Sequence, residues 1–588
     1  MAAETAQDGL WHGKGAPGQV QRPCFQPANT ANIRGSHRVE IGSRFLNATK
    51  VHVLKISFRR RDMQVCVAPA VRSSMKRWLI LLHRWLGVAF CLLFATWFAS
   101  GVVMIYVPYP RLTEPERVGG LLPLNAEAVR ILPAQALSAA GLVEFPREAR
   151  LGTLLERPVY RFLDWSGRWS VVDASSGALI AGVDAEVASL VASAFAARSG
   201  SGADPSGIKR IHNDQWTVPQ VLDAHRPLYR VALADAPGTV LYVSGRTGEV
   251  VRDTTRNERF WNWLGSVPHW IYPTILRERP EAWRQTVIWV SAGALAAAAT
   301  GAVLGVWRMR WRRRASGGVL SPYRGWMAWH HWTSLVFALF IVAWIASGLL
   351  SMNPGRVFAT PTPTRDALVA FSGIRGLEAL AWSAVDVSAT DGARSRSGRC
   401  DGPGAPSAST APTAEIDLAF VSGTMWLIER SVVGTTRAIR AGQPCTALPA
   451  IPVSTLVEAA TSLMPGYRIV EWSMLDRYDT YHYSRRGLRV LPVLRVRFDD
   501  PAATWYHIDP ATGRVVDRMD RSRRAYRWLF NALHSLDFPG LYTARPVWDV
   551  VIVSASVGGF AASITAVVIG WRRLRGQRRA TRREVRGP

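Results

Sequence analysis

The chain is written twice. Adding 265 to a residue number takes Gly248 to Gly513, Trp263 to Trp528, Leu264 to Leu529, His269 to His534, Trp283 to Trp548, Ser291 to Ser556 and Gly305 to Gly570, with no gap. An earlier segment repeats at an offset of 247, which takes His83 to His330, Trp85 to Trp332, Trp97 to Trp344 and Ala99-Ser100-Gly101 to Ala346-Ser347-Gly348. A tandem duplication constrains the fold more than any single motif, because each copy must form the same unit and the two units must pack as relatives. Each copy brings two matched histidines.

Every one of those histidines lies in or beside an apolar run. Leu79–Val107, Thr286–Trp307, Trp326–Met352 and Val547–Trp571 are each long enough, at roughly 20 helical residues, to cross about 30 Å of hydrocarbon. The net charge of +28 is nearly all arginine and would suit nucleic acid, but the arginines cluster at the ends of the apolar runs, as in Arg308–Arg314 and Arg572–Arg582. That is the positive-inside pattern, and 25 Trp fit membrane interfaces better than a nucleic-acid groove. It puts both termini and the short middle loop in the cytoplasm of a bacterial inner membrane, and the two long connections in the periplasm.

The expected organisation follows. An extension over 1–74, disordered or spurious, precedes a first membrane helix over 75–107 and a periplasmic module over 108–285. Helices over 286–307 and 326–353 flank a cytoplasmic loop over 308–325. A second module over 354–546 carries a flexible Gly/Ser/Pro/Arg-rich insertion over 388–413, and a last helix over 547–571 leads into a basic tail over 572–588. Five cysteines form no CxxC or zinc spacing, and Cys400 and Cys445 are candidates to pair only if their region is outside the cytoplasm.

The connections read as α+β. Alternating runs at Pro158–Leu163, Trp169–Val172, Thr239–Val243 and Val490–Phe498 have the period of half-buried strands. The turns Gly245–Gly248 and Asp509–Gly513 look like hairpins, and helical periods appear near Ala126–Leu137, Ala185–Arg198 and Thr455–Met464. The predicted fold class is an α+β membrane protein: four transmembrane helices from a tandem repeat plus two periplasmic α+β modules.

The stretches HRWLG (83–87), DQWTVPQ (214–220), HRPLY (225–229), the run from Tyr242 to Tyr272, WYHIDPATGRVV (505–516) and LHSLDFPGLYTARPVWD (533–549) resemble the PepSY-associated transmembrane family of iron-regulated inner-membrane proteins. The resemblance covers residues 75–580. It implies two periplasmic PepSY modules and, for the siderophore-reductase branch, two b-type haems on histidines with electron delivery to a ferric siderophore. The extension before Met75 and the insertion depart from the pattern.

Ionisable groups in or beside membrane helices are costly and mark function by default. His83 and His330 start odd-numbered helices, and His269 and His534 precede even-numbered ones, so a pseudo-two-fold axis along the membrane normal would face the members of each pair. Facing imidazoles supply both axial ligands of a haem iron, and the four histidines would hold two haems b as a two-step wire. Two plainer readings stand beside it: histidines that only hydrogen-bond backbone, and ligands for another metal. His331 points about 100° away from His330 on a helix, and the repeat favours His330. His212, His225, His482 and His507 suit surface or hydrogen-bonding roles. The cluster Asp476, Tyr478, Asp479, Tyr481, His482 and Tyr483 fits iron ligation or an amphipathic strand equally. Trp263 and Trp528 are candidates to pack on a porphyrin, and Asp214, Gln215, Trp216, Thr217 and Arg226 belong to the module fold. No GxGxxG or Walker loop appears, so electrons come from a quinol or a partner protein. The expected partners are lipid and a periplasmic acceptor, not nucleic acid. The competing function is a membrane-anchored PepSY regulator, protease-inhibitor-like and without redox activity.

Overall fold

The computed structural model describes residues 69–311, 320–374, 411–443, 447–485 and 489–585. Most of the N-terminal extension, the insertion up to residue 410 and the expected Cys400–Cys445 pairing lie outside them.

Three helices are long and apolar enough to cross a membrane: α1 (Pro69–Tyr106), α2 (Pro280–Arg308) and α5 (Val547–Val585). The run expected over 326–353 as a single helix is instead a bent pair, α3 (Trp326–Val336) and α4 (Ala338–Ser351), meeting at 65°. Between them Phe337 lays its ring in a notch over Gly558 of α5, where any Cβ would collide; the repeat-related Phe90 seats over Gly293 of α2 in the same way. Small residues admit this close approach between helices. Helix ends also differ from expectation. Helices α1 and α2 open at Pro69 and Pro280, because proline lacks only an N–H that a first turn leaves unpaired. Helix α5 runs on through the basic tail to Val585, arginine being a good helix former.

The connections are mixed α/β with antiparallel sheets. Strands β1–β4 (Glu148–Leu154, Arg157–Leu163, Trp169–Asp173, Leu179–Ile180) precede the helix Ala185–Arg198 and a sheet of β5–β8 (Pro205–Ile211, Leu228–Leu233, Val240–Ser244, Val250–Thr254). The second copy repeats the order with β9–β12 (Thr413–Val421, Thr424–Ser431, Thr436–Arg440, Ala447–Leu448), the helix Val453–Ala460, and β13–β16 (Ile469–Leu475, Val493–Phe498, Trp505–Ile508, Val515–Met519). Prolines shift two expected boundaries: Pro492 donates nothing to a ladder, so β14 starts after it, and Pro133 splits the helical period at 126–137 into a 3-10 turn (Ala126–Ala128) and a helix (Pro133–Ala139). Residues 476–483 form a loop, not a strand, because the side chain of Asp479 turns the backbone by accepting from the amides of Tyr481 (2.9 Å) and His482 (2.7 Å).

The two copies do not fold as separate modules. Strand β1 pairs antiparallel with β9, Arg150 opposite Asp417 and Leu151 opposite Ile416, which makes one eight-stranded sheet in the order β12-β11-β10-β9-β1-β2-β3-β4. Its apolar face buries Leu151, Tyr160, Phe162, Ile416 and Ile439. At the seam the charges are buried. Glu415 accepts from Arg117 and lies 3.7 Å from both Arg150 and Arg430, while Arg150 also grips Glu249 at 3.1 and 3.3 Å.

One carboxyl on β8 titrates far from its usual range. Burial, and then the carboxylates of Glu116 and Glu258, push Asp253 up to about 7. The folded state binds this proton more tightly than the unfolded chain. The contribution to stability is therefore complete below the ordinary carboxylate pKa and is lost as pH rises through about 7. Thermal unfolding in detergent should show lower stability at pH 8 than at pH 6, and Asp253→Asn should reduce that difference; an unchanged difference would refute the assignment.

Candidate functional site

All four matched histidines are held alike, each on a carbonyl of a neighbouring helix. His83 Nδ1 lies 3.1 Å from Ala297 O of α2, and His330 Nδ1 lies 3.2 Å from Ala562 O of α5. Those two alanines are themselves 265 apart. His269 Nδ1 lies 3.1 Å from Trp97 O and 3.1 Å from Ser100 Oγ of α1; His534 Nδ1 lies 3.2 Å from Trp344 O and 3.1 Å from Ser347 Oγ of α4. A carbonyl can only accept, so Nδ1 carries the proton in every ring and Nε2 keeps its lone pair. Among the described residues none of the four Nε2 atoms makes a hydrogen bond. This is the arrangement that fixes tautomer and orientation in imidazoles that bind metals.

The duplicated Ala-Ser-Gly triplet now has a physical reason. Its serine hydroxyl meets Nδ1, and its glycine lies against the ring, where a Cβ on Gly101 or Gly348 would stand 3.4 Å from Cε1 of His269 or His534, an ordinary van der Waals contact. The backbone reaches this common placement by two devices. In the first copy the helix Arg256–Leu264 breaks at Gly265, where a Cβ would meet Val103 at 2.9 Å, and a short turn Ser266–His269 follows. In the second copy a π-helical stretch, Arg527–Ala532, absorbs the same offset before Leu533–Ser535.

His269 and His534 face each other with ring centroids 6.1 Å apart and planes at 68°. His83 and His330 line one cavity of about 310 Å³ between α1, α2, the α3–α4 pair and α5, whose wall includes Gly87, Gly301, Gly305 and Gly570. The structure thus brings both pairs together as the repeat predicts. His331 also borders this cavity, but its Nδ1 meets Ser321 Oγ (2.9 Å) and its Nε2 the carbonyl of Gly305 (2.9 Å), so both nitrogens are used. Trp263 packs edge-on against Trp216 and Trp528 reaches the Tyr481 hydroxyl at 3.4 Å. The ring stacked on His534 is Phe530, at 5.2 Å; the repeat hides it, since its counterpart is Gly265.

Elsewhere, His212 is exposed and His225 Nδ1 meets Ser244 Oγ at 3.2 Å. His482, His507 and Asp517 bring ligand-type atoms within 4.8 Å of one another. That cluster is already served by guanidinium groups. His507 donates from Nδ1 to Asp517 (2.5 Å) and accepts at Nε2 from Arg495 (2.8 Å), and Arg489 pairs with Asp517 at 3.0 Å. Burial would raise the Asp517 carboxyl, but the His507 hydrogen bond and these charges hold it below its usual range. The first copy has Tyr242 where the second has His507, so the repeat carries no signal for this histidine; its burial comes from the sheet. Comparison with protein-family models and with curated proteins finds no match for the chain.

Proposed function

We propose that the chain is a membrane haem protein that passes electrons across a bacterial inner membrane to a periplasmic acceptor. In this reading the bent pair α3–α4 is the fourth span, the arginine-rich ends face the cytoplasm, and the fused sheets stand in the periplasm as PepSY-type modules. His83 with His330, and His269 with His534, would hold two haems b.

One observation carries the reading. On opposite sides of a metal, imidazole nitrogens each about 2.0 Å away would place their ring centroids about 6 Å apart; the His269 and His534 centroids are 6.1 Å apart, with Nδ1 anchored and Nε2 making no hydrogen bond among the described residues. The surroundings fit as well. The His83–His330 cavity has apolar, glycine-lined walls suited to a flat ring, and its volume falls in the range of small-molecule sites. Haem bound there supplies one-electron chemistry, and the chain supplies ligand geometry, burial and the hydrogen bonds that tune basicity. The sequence resemblance supports a ferric siderophore as acceptor and a quinol or partner protein as donor.

A reduced-minus-oxidised absorption spectrum of the full chain from haem-replete cells tests this directly. Two b-type haems per chain are expected; a colourless protein overturns the reading and favours the membrane-held regulator. A backbone position gives a finer check. A Cβ on Gly301 would stand 2.6 Å from Cε1 of His83, so Gly301→Ala should displace that ring even though alanine favours a helix by about 1 kcal/mol. Haem content should fall from two per chain towards one, and full retention would contradict the assignment.

A further inference from the structure

The His83–His330 cavity is mostly apolar, and its charged side chains are all of one sign. Arg84, Arg308 and Arg573 line it, and no Asp or Glu does. Of the other basic residues near that end, Lys76 lies over Trp307 (4.8 Å), Arg572 over Trp326 (5.8 Å) and Arg575 over Trp571 (4.6 Å), while Arg77, Arg310 and Arg324 do not line the cavity; Arg308 and Arg573 line it from exposed positions. Among the described residues the three cavity arginines make no hydrogen bond, ion pair or ring contact. Two of them are one residue seen twice, since Arg308 and Arg573 are 265 apart, on α2 and α5. A ligand sitting on the pseudo-two-fold axis therefore meets two equivalent guanidinium groups on the side of the arginine-rich helix ends.

We propose that Arg308 and Arg573 form a paired carboxylate clamp, which fixes the porphyrin of this cavity with both its propionates turned towards the arginine-rich face. The assignment rests on the haem reading and deepens it. Guanidinium matches carboxylate in a two-pronged, charge-assisted geometry, and a doubly anionic edge matches two equivalent cations. Arg84 has no basic counterpart by the repeat, its equivalent being His331, which is already hydrogen-bonded at both nitrogens. The pair, not the triplet, is therefore the recognition element. A lipid phosphate is the other anion available at a membrane surface, and the test separates the two sources.

The experiment uses the full chain in a His534→Ala background, so that only the cavity site loads. The protein is stripped of haem and titrated with haem or with haem dimethyl ester, which has no free carboxylate. Wild-type arginines should favour haem over the ester by at least about tenfold, the worth of one to two charge-assisted hydrogen bonds. R308Q/R573Q should lose that preference while still binding the ester, and R308K/R573K, which keeps the charge, should recover part of it. Equal binding of haem and ester by the unsubstituted arginines would overturn the clamp, as would a preference that survives R308Q/R573Q. So would phosphatidylglycerol vesicles abolishing the arginine dependence, which would give the pair to lipid. A chain with His534 intact that takes up no haem defeats the parent reading together with the clamp; haem in both sites without the arginine dependence defeats the clamp alone.

Discussion

On the proposed reading, alanine at position 534 should remove one of two haems and leave the other spectrally intact. His534 faces His269 at 6.1 Å, and its Nδ1 is held by Trp344 O and Ser347 Oγ. With the ring gone, the remaining imidazole offers a single axial ligand. Low-spin bis-histidine features should then halve, read by pyridine haemochromogen and electron paramagnetic resonance on the purified chain. Ser347→Ala is the graded version. It removes one hydrogen bond to Nδ1 and keeps the ligand, so affinity should fall by about 10- to 100-fold without abolishing the site, the usual effect of losing an outer-shell partner. If both variants keep two low-spin haems per chain, His534 is not a ligand.

Glu415→Ala should destabilise the fused sheet by about 3–5 kcal/mol, the cost of leaving a buried charge without its partner. The Glu415 side chain is 3% exposed and faces Arg117, Arg150 and Arg430. Its removal leaves Glu114, Glu249 and Asp417 to balance those guanidinium groups. Thermal unfolding in detergent should show the loss, with Glu415→Gln in between because it keeps the shape and a hydrogen-bond acceptor. A change within about 0.5 kcal/mol, the range of an ordinary surface substitution, would show that water already reaches the seam. A buried network of this kind adds little net stability over an apolar seam. Its effect falls on register: slipping β1 against β9 by one residue would part Arg150 from Glu415 across the sheet and turn Arg150 onto the apolar face.

Much of this was legible in the sequence because a duplication supplies its own internal comparison. The offsets of 265 and 247 selected His83, His330, His269 and His534, and preferred His330 to His331, before any coordinates. The periodic strands and the helix Ala185–Arg198 appeared where alternation and helical spacing placed them. The method failed where the copies differ. Phe530 lies opposite Gly265, so the ring stacked on His534 had no repeat signal, and the His507–Asp517 pair replaces Tyr242 and Arg252. Nor did anything in the periodicity announce the bend at Phe337: that run contains no proline, and the matching Phe90 sits over Gly293 in the same kind of notch within an unbroken helix.

Which residues are equivalent, which segments are apolar enough to leave water, and which histidines accompany them can all be read along the chain. Those are properties of composition, spacing and repetition, and they survive any arrangement in space. That the two halves share one sheet through β1 and β9, that each Nδ1 finds a carbonyl on a neighbouring helix, and that two rings from opposite halves stand 6.1 Å apart emerges first in three dimensions. Such facts depend on pairings between residues hundreds of positions apart, where packing and hydrogen-bond geometry, not local pattern, select the partner.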